Sequence, residues 1–169
     1  ALAAMEKRDL SERDICSRFI TPALHGAGWD ALQIREEVTF TRGQLMVRGK
    51  VVTRGQAKRA DYILSYKPNV PIALIEAKRN TYSVGEGIQQ ALAYAETLNI
   101  PFVFSSNGDG FVFHDRTGII SPRETNLALH EFPSPADLWA RYRAWKGIDA
   151  EAEQIVLQQQ IQNRLAELR

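Results

Sequence analysis

The chain has 169 residues, 44% of them hydrophobic and 24% charged, with a formal net charge of +1 and a single cysteine. Length and composition are those of one globular domain with a core of its own; no apolar run reaches the roughly 20 residues that a membrane span needs, and one cysteine excludes an internal disulfide. The opening ALAAM is too short for a signal peptide and lacks its basic start, so the expectation is a cytoplasmic protein without a membrane partner.

In chain order, residues 9–27 place apolar side chains at helical spacing (Ile15, Phe19 or Ile20, Ala23, Ala27), which predicts a helix. Ser11 suits its N-cap, and Glu12 and Asp14 suit its first turn. Pro22 predicts a kink or a division, and Gly26 and Gly28 an end. Cys16 lies on the apolar side and reads as a small core residue. QIREEVTF and LMVRGKVV read as two strands turned at Arg42-Gly43, and RADYILSY and PIALIEAK as two more joined by KPNV. SVGEGIQQALAYAETLN predicts a helix opened by a Ser83/Glu86 capping box, with Ile88, Ala91, Leu92, Ala95 and Leu98 as its apolar face. PFVFSSN and GFVFHD flank Asn107-Gly108-Asp109-Gly110, a hairpin signal. Two helices follow from Pro133: SPADLWARYRAWKG, with Ser134 or Asp137 at its start, and DAEAEQIVLQQQIQNRLAELR, with Leu157, Ile161, Leu165 and Leu168 on one face. This order predicts an α/β fold, a mixed central sheet flanked by helices. The expected organisation is a core over residues 6–132 and a helical C-terminal extension over 133–169.

Charge is unevenly distributed. Between Arg42 and Arg79 stand nine basic residues (Arg42, Arg48, Lys50, Arg54, Lys58, Arg59, Lys67, Lys78, Arg79) against only Asp61 and Glu76. Such asymmetry suits a stripe that faces a polyanion; it equally suits strand edges guarded against aggregation.

The stretch IALIEAK carries the chemistry. Alternation sets Ile72, Leu74, Glu76 and Lys78 on one side of a strand and Ala73, Ile75 and Ala77 on the other. Both sides are apolar up to Glu76, which predicts a central strand whose charge must be paired or must bind something. With KPNV as the loop, Tyr66 pairs with Pro71, and the same register sets Asp61 opposite Glu76. Directly opposed carboxylates, with Cβ atoms about 4.5–5.5 Å apart, repel unless a cation lies between them. Mg²⁺ takes such oxygen ligands, and Lys78 can counter charge on a phosphate or position an attacking water. The spacing therefore reads as a metal-dependent phosphodiesterase site; a salt-bridge cluster in which Lys78 neutralises both acids is the alternative. Glu12 could join from the first helix or simply complement its dipole. Gln90 and Tyr94, at i and i+4, project together from one helix face, either toward a phosphate or as a surface pair. His25, His114 and His130 have no metal-site spacing.

RADYILSY…PIALIEAK followed by SVGEGIQQALAYAETLNIPFVFSSNG resembles the N-terminal nuclease domain of type I restriction enzyme motor subunits, a branch of the PD-(D/E)xK nuclease superfamily. The resemblance covers roughly residues 8–146 and includes Gly28-Trp29 and the Leu138–Trp145 segment. It implies a restriction-endonuclease-like fold and an endonuclease that cleaves double-stranded DNA without reading sequence. It implies that Asp61, Glu76 and the Ala77 carbonyl bind Mg²⁺ and that Lys78 is the catalytic lysine, with Glu12 as the helix-borne acid. Gln90 and Tyr94 would support DNA contact or the site; the basic stripe (Lys58, Arg59, Arg79) and the Gly85 and Gly87 backbone near the helix start are the expected phosphate contacts. The family's complete subunit uses ATP to translocate DNA and assembles with modification and specificity subunits. Ala60 stands where the superfamily has proline, and no GxxxxGK[ST] occurs, so the expectation is that the motor is absent and that the chain is a fragment, with a stand-alone nuclease that shares the domain as the other reading. A non-catalytic DNA-binding or assembly module with a nuclease-like fold is the alternative.

Overall fold

The structure is a computed structural model that describes residues 5–41, 44–45, 57–148 and 150–168. The expected strand beyond Leu45 and the basic residues Arg42, Arg48, Lys50 and Arg54 lie outside the described residues.

Ser11 caps the first helix as the sequence predicts, accepting the Asp14 N–H at 3.1 Å. Pro22 does not divide that helix. α1 (Glu12–Ile15) passes through a π-helical stretch, Cys16–Ile20, into α2 (Thr21–Gly26), where Pro22 sits in the first turn. Widening the hydrogen-bond ladder just before the proline, with the Thr21 N–H bonded to the Cys16 carbonyl, lets the chain continue without the bond that proline cannot donate.

Seven strands form one sheet: β1 (Ile34–Thr41), β2 (Gln44–Leu45), β3 (Lys58–Ser65), β4 (Pro71–Ala77), β5 (Phe102–Ser106), β6 (Gly110–Asp115) and β7 (Glu124–Ala128), in the order β2-β1-β3-β4-β5-β6-β7. Every neighbouring pair is antiparallel except β4 and β5, which run parallel and are joined through α3 (Ile88–Leu98). β4 is the central strand, buried along six of its seven residues. β7 was not expected; its short, half-exposed sequence lacks the strand-forming residues that mark β3 to β6. α4 (Pro135–Lys146), N-capped by Ser134 as expected, and α5 (Ala150–Glu167) complete the chain.

Two apolar layers cover the sheet. On one face Leu10, Ile15, Ile20, Leu24 and Trp29 pack with Tyr62, Leu64, Ile75, Phe102, Phe104 and α4's Leu138 and Trp139. On the other, α3 lays Ile88, Ala91 and Ala95 on Ile63, Leu74 and Val103. Each large side chain that leaves water completely contributes about 1.5–3 kcal/mol.

Strict alternation fails in three strands, one of them β3, where Ala60 belongs to the second layer but Tyr62 to the first. In β1, Ile34 belongs to the first layer, yet Val38 and Phe40 belong to the second. Glu37, whose φ of 52° is left-handed, lies between them and exchanges the faces. In β4, Leu64 pairs with Ala73 but Ser65 with Pro71, so Ile72 is an extra residue. The bulge sends Ile72 into the first layer with Ala73 rather than to the side of Leu74. The expected Tyr66–Pro71 pairing is therefore replaced at the turn, where the Tyr66 N–H instead bonds the Val70 carbonyl. Beyond the bulge the register is the expected one, with Ile63 against Leu74 and Tyr62 against Ile75.

Candidate active site

Beyond Tyr62 and Ile75 the two central strands stop exchanging backbone bonds, and side chains take over. The Asp61 N–H donates to Glu76 Oε2 at 2.9 Å, and the Ala77 N–H donates to Asp61 Oδ2 at 2.8 Å. Each acid is thus anchored by the other's strand, and the two carboxylates face the same side, as the register predicts. Both line an open cavity of about 490 Å³ together with Glu12, Ala57, Lys58, Arg59, Ala77, Lys78, Gln90 and Tyr94.

Glu76 is 3% exposed. Burial foremost, then the hydrogen bond and charge of Asp61, push its carboxyl up to about 9. Glu12 stands on the solvent rim; its carboxyl is raised by partial burial and by Asp61, against the opposing pull of Lys78 and Arg59. Among the described residues Lys78 forms no ion pair with either acid, so the salt-bridge cluster is not what the fold builds. Two anchored carboxylates and a neighbouring main chain suit an oxygen-seeking divalent cation that keeps waters in its shell. A ready-made cage is a different matter: no group of three or more His, Cys, Asp or Glu among the described residues is arranged to hold a metal.

On the opposite wall the Gln90 Nε2–H donates to the Tyr94 hydroxyl at 2.6 Å. The Tyr94 ring meets Phe40 edge-on at 5.1 Å, and Lys58 Nζ lies 5.8 Å from its centre. The pair is therefore a fixed element of the cavity. Arg79 is not part of the lining; its Nε donates to the Leu10 carbonyl at 3.2 Å. Gly87 cannot offer its N–H to a phosphate, because that N–H is buried and bonds Ser105 Oγ at 3.1 Å. Nor does Ser83 cap α3. The helix begins at Ile88 after Gly87, with no side-chain cap, while residues 83–86 form a turn whose Val84 carbonyl accepts from Ser105.

Ser105, fully buried on β5 and in register with Glu76, escaped the sequence reading. A signal for it existed: Ser105, Ser106 and Asn107 end the apolar run PFVF just as Glu76 ends IALI, and polar groups on a doubly covered strand must find partners.

The profile of the family described as type I restriction enzyme R protein N terminus matches residues 31–127. Over 148 residues the chain is 45% identical to the type I restriction enzyme EcoAI endonuclease subunit of Escherichia coli, covering 86% of this chain and 18% of that protein. A solved fragment described as an HsdR subunit of a type I restriction enzyme from Vibrio vulnificus YJ016 superposes with a TM-score of 0.69 at 40% identity, over 84% of this chain and 27% of that one. The chain thus spans under a third of either relative. Its α/β fold is restriction-endonuclease-like, and the chain belongs to the family of type I restriction enzyme R protein N termini.

Proposed function

We propose that this chain is a Mg²⁺-dependent endonuclease domain that hydrolyses phosphodiester bonds of double-stranded DNA, without reading sequence itself, as part of a type I restriction R subunit. The observation that carries the reading is the opposed pair Asp61 and Glu76, anchored on diverging strands and sharing one open cavity with Lys78. The proposed core spans residues 6–132 with an extension over 133–169. ATP use and contacts with modification and specificity subunits would belong to the longer protein, in the cytoplasm.

Asp61, Glu76 and the Ala77 carbonyl would hold the cation, which when bound supplies Lewis-acid polarisation of the phosphate and an activated water. The residues do the rest. Lys78 offers an ammonium on the cavity wall to a developing phosphate charge or to the attacking water. Glu12, on the rim, can orient that water. Tyr94 accepts from Gln90 and so has its own O–H to donate to a phosphate oxygen. Lys58 and Arg59 bring positive charge to the same wall, and Arg79 is left to contribute from outside the cavity.

Supercoiled plasmid incubated with the chain is the test. Wild type should nick it with Mg²⁺ and not with EDTA, and Asp61→Ala, Glu76→Ala and Lys78→Ala should each lose at least about 100-fold in rate. Undiminished cutting by all three variants ends the proposal. Duplex binding without cutting, indifferent to Mg²⁺ and to Glu76→Ala, would instead assign a non-catalytic DNA-binding or assembly module.

A further inference from the structure

The polar end of β5 and the connection 78–87 between β4 and α3 are bonded to each other throughout. The Lys78 N–H donates to the Ser106 carbonyl at 2.9 Å. Asn80 Nδ2–H donates to the Asn107 carbonyl at 3.0 Å, and Asn107 Nδ2–H donates to the Tyr82 carbonyl at 2.7 Å. Ser105 Oγ–H donates to the Val84 carbonyl at 2.8 Å and accepts the Gly87 N–H at 3.1 Å. Ser105, Ser106 and Asn107 are all buried. Burial requires that these groups be paired; it does not require every partner to lie in one segment.

That segment joins the two sides of the cavity. It begins at Lys78, and three residues past its end stands Gln90. Ser105 and Glu76 are partners across the parallel strands. The start of α3 is pressed onto the same place: a Cβ at Gly87 would stand 3.1 Å from Ser105 Oγ and 3.4 Å from the Glu76 Cβ. Glycine there serves close approach rather than an unusual backbone angle, since its φ of −85° is ordinary.

We propose that Ser105 and Asn107 are positioning residues of the nuclease site: through the 78–87 connection they fix Lys78 and the Gln90–Tyr94 pair relative to Asp61 and Glu76. The proposal rests on the nuclease reading. Asn107 governs the Lys78 end and Ser105 the α3 end, and neither side chain touches substrate. A reacting group displaced by about 1 Å costs on the order of 100-fold in rate, so loss of either clamp should appear in kcat rather than in KM.

The experiment compares wild type, Ser105→Ala, Ser105→Cys, Asn107→Ala, Gln90→Ala and the Ser105→Ala/Gln90→Ala double variant of the whole chain. Amide hydrogen exchange and Mg²⁺-dependent plasmid cleavage are both read. Ser105→Ala should speed exchange at Gly87 and the first turn of α3 while the amides of β4 and β5 hold. Its kcat should fall about 10- to 100-fold with KM within about twofold. Ser105→Cys, of similar size with a weaker donor, should recover part of the loss and also serves if the alanine variant does not fold. Asn107→Ala should loosen residues 79–82 instead. The double variant should cut no more than about twofold slower than Gln90→Ala alone. Unchanged exchange at α3 overturns the proposal, and so do losses that multiply in the double variant. A wild type that neither cuts nor binds duplex, with exchange as expected, overturns the nuclease reading and with it the positioning role; a wild type that cuts without the coupling overturns the positioning role alone.

Discussion

Glu76 holds a conflict that the protein alone leaves standing. Its carboxyl is raised to about 9, by burial first and then by Asp61, whereas in the unfolded chain it ionises near 4.5. The folded state therefore keeps a proton that the unfolded state has lost. The stability this confers is full below about pH 4.5 and is withdrawn as pH rises toward about 9. Metal-free thermal midpoints should accordingly fall across that window, and Glu76→Gln should flatten the fall and melt higher than wild type near pH 9, while losing Mg²⁺-dependent cutting. An identical pH slope in the two proteins would show that Glu76 is ionised in the fold. At this scale the sequence was informative where charge interrupted an apolar strand, as at Asp61 and Glu76. It was silent at Ser105, because a serine is too common and too small to stand out, although the same burial rule applies to it.

The elements were legible where local chemistry decides them and illegible where tertiary bonds do. Ser11 and Ser134 cap their helices through the expected side-chain bonds, from Asp14 and Asp137. The Ser83/Glu86 pattern is equally good on paper, but the turn at 83–86 is claimed by β5 and α3 starts later. Alternation in β1 is broken by Glu37, whose left-handed backbone no periodicity argument foresees. α4 gives the sharpest test at this scale. Trp139 is 3% exposed and stacks between Tyr66, at 4.4 Å and 7°, and Tyr142, at 5.1 Å and 12°; the Trp29 indole N–H reaches the Pro133 carbonyl at 2.9 Å. Trp139→Ala should cost about 3–5 kcal/mol in urea unfolding. A loss below about 1 kcal/mol would mean that the extension from residue 133 is dispensable to the core.

Across the whole molecule, a net charge of +1 conceals a basic centre and an acidic remainder. Lys58, Arg59 and Lys78 share one cavity with three acids, so attraction for a polyanion depends on phosphate contacts rather than on total charge. Duplex affinity measured by anisotropy should fall steeply from about 50 to about 200 mM salt, with a log–log slope of roughly −0.9 per phosphate engaged. A slope near zero would remove the phosphate role from that wall. The fold class followed from the order of elements, while the pairing of β7 and the joining of both cavity walls by β5 arise only once the chain has closed. Ile72 stands unpaired at the bulge in β4. Were it to pair with Leu64 instead of bulging out, the count set by Ser65 and Pro71 would continue up the hairpin, bringing Ala60 against Glu76 and Asp61 against Ile75. A greasy residue with no chemistry thus keeps the hairpin in step, and a drift of one position in its numbering would disarm the acids without altering either of them.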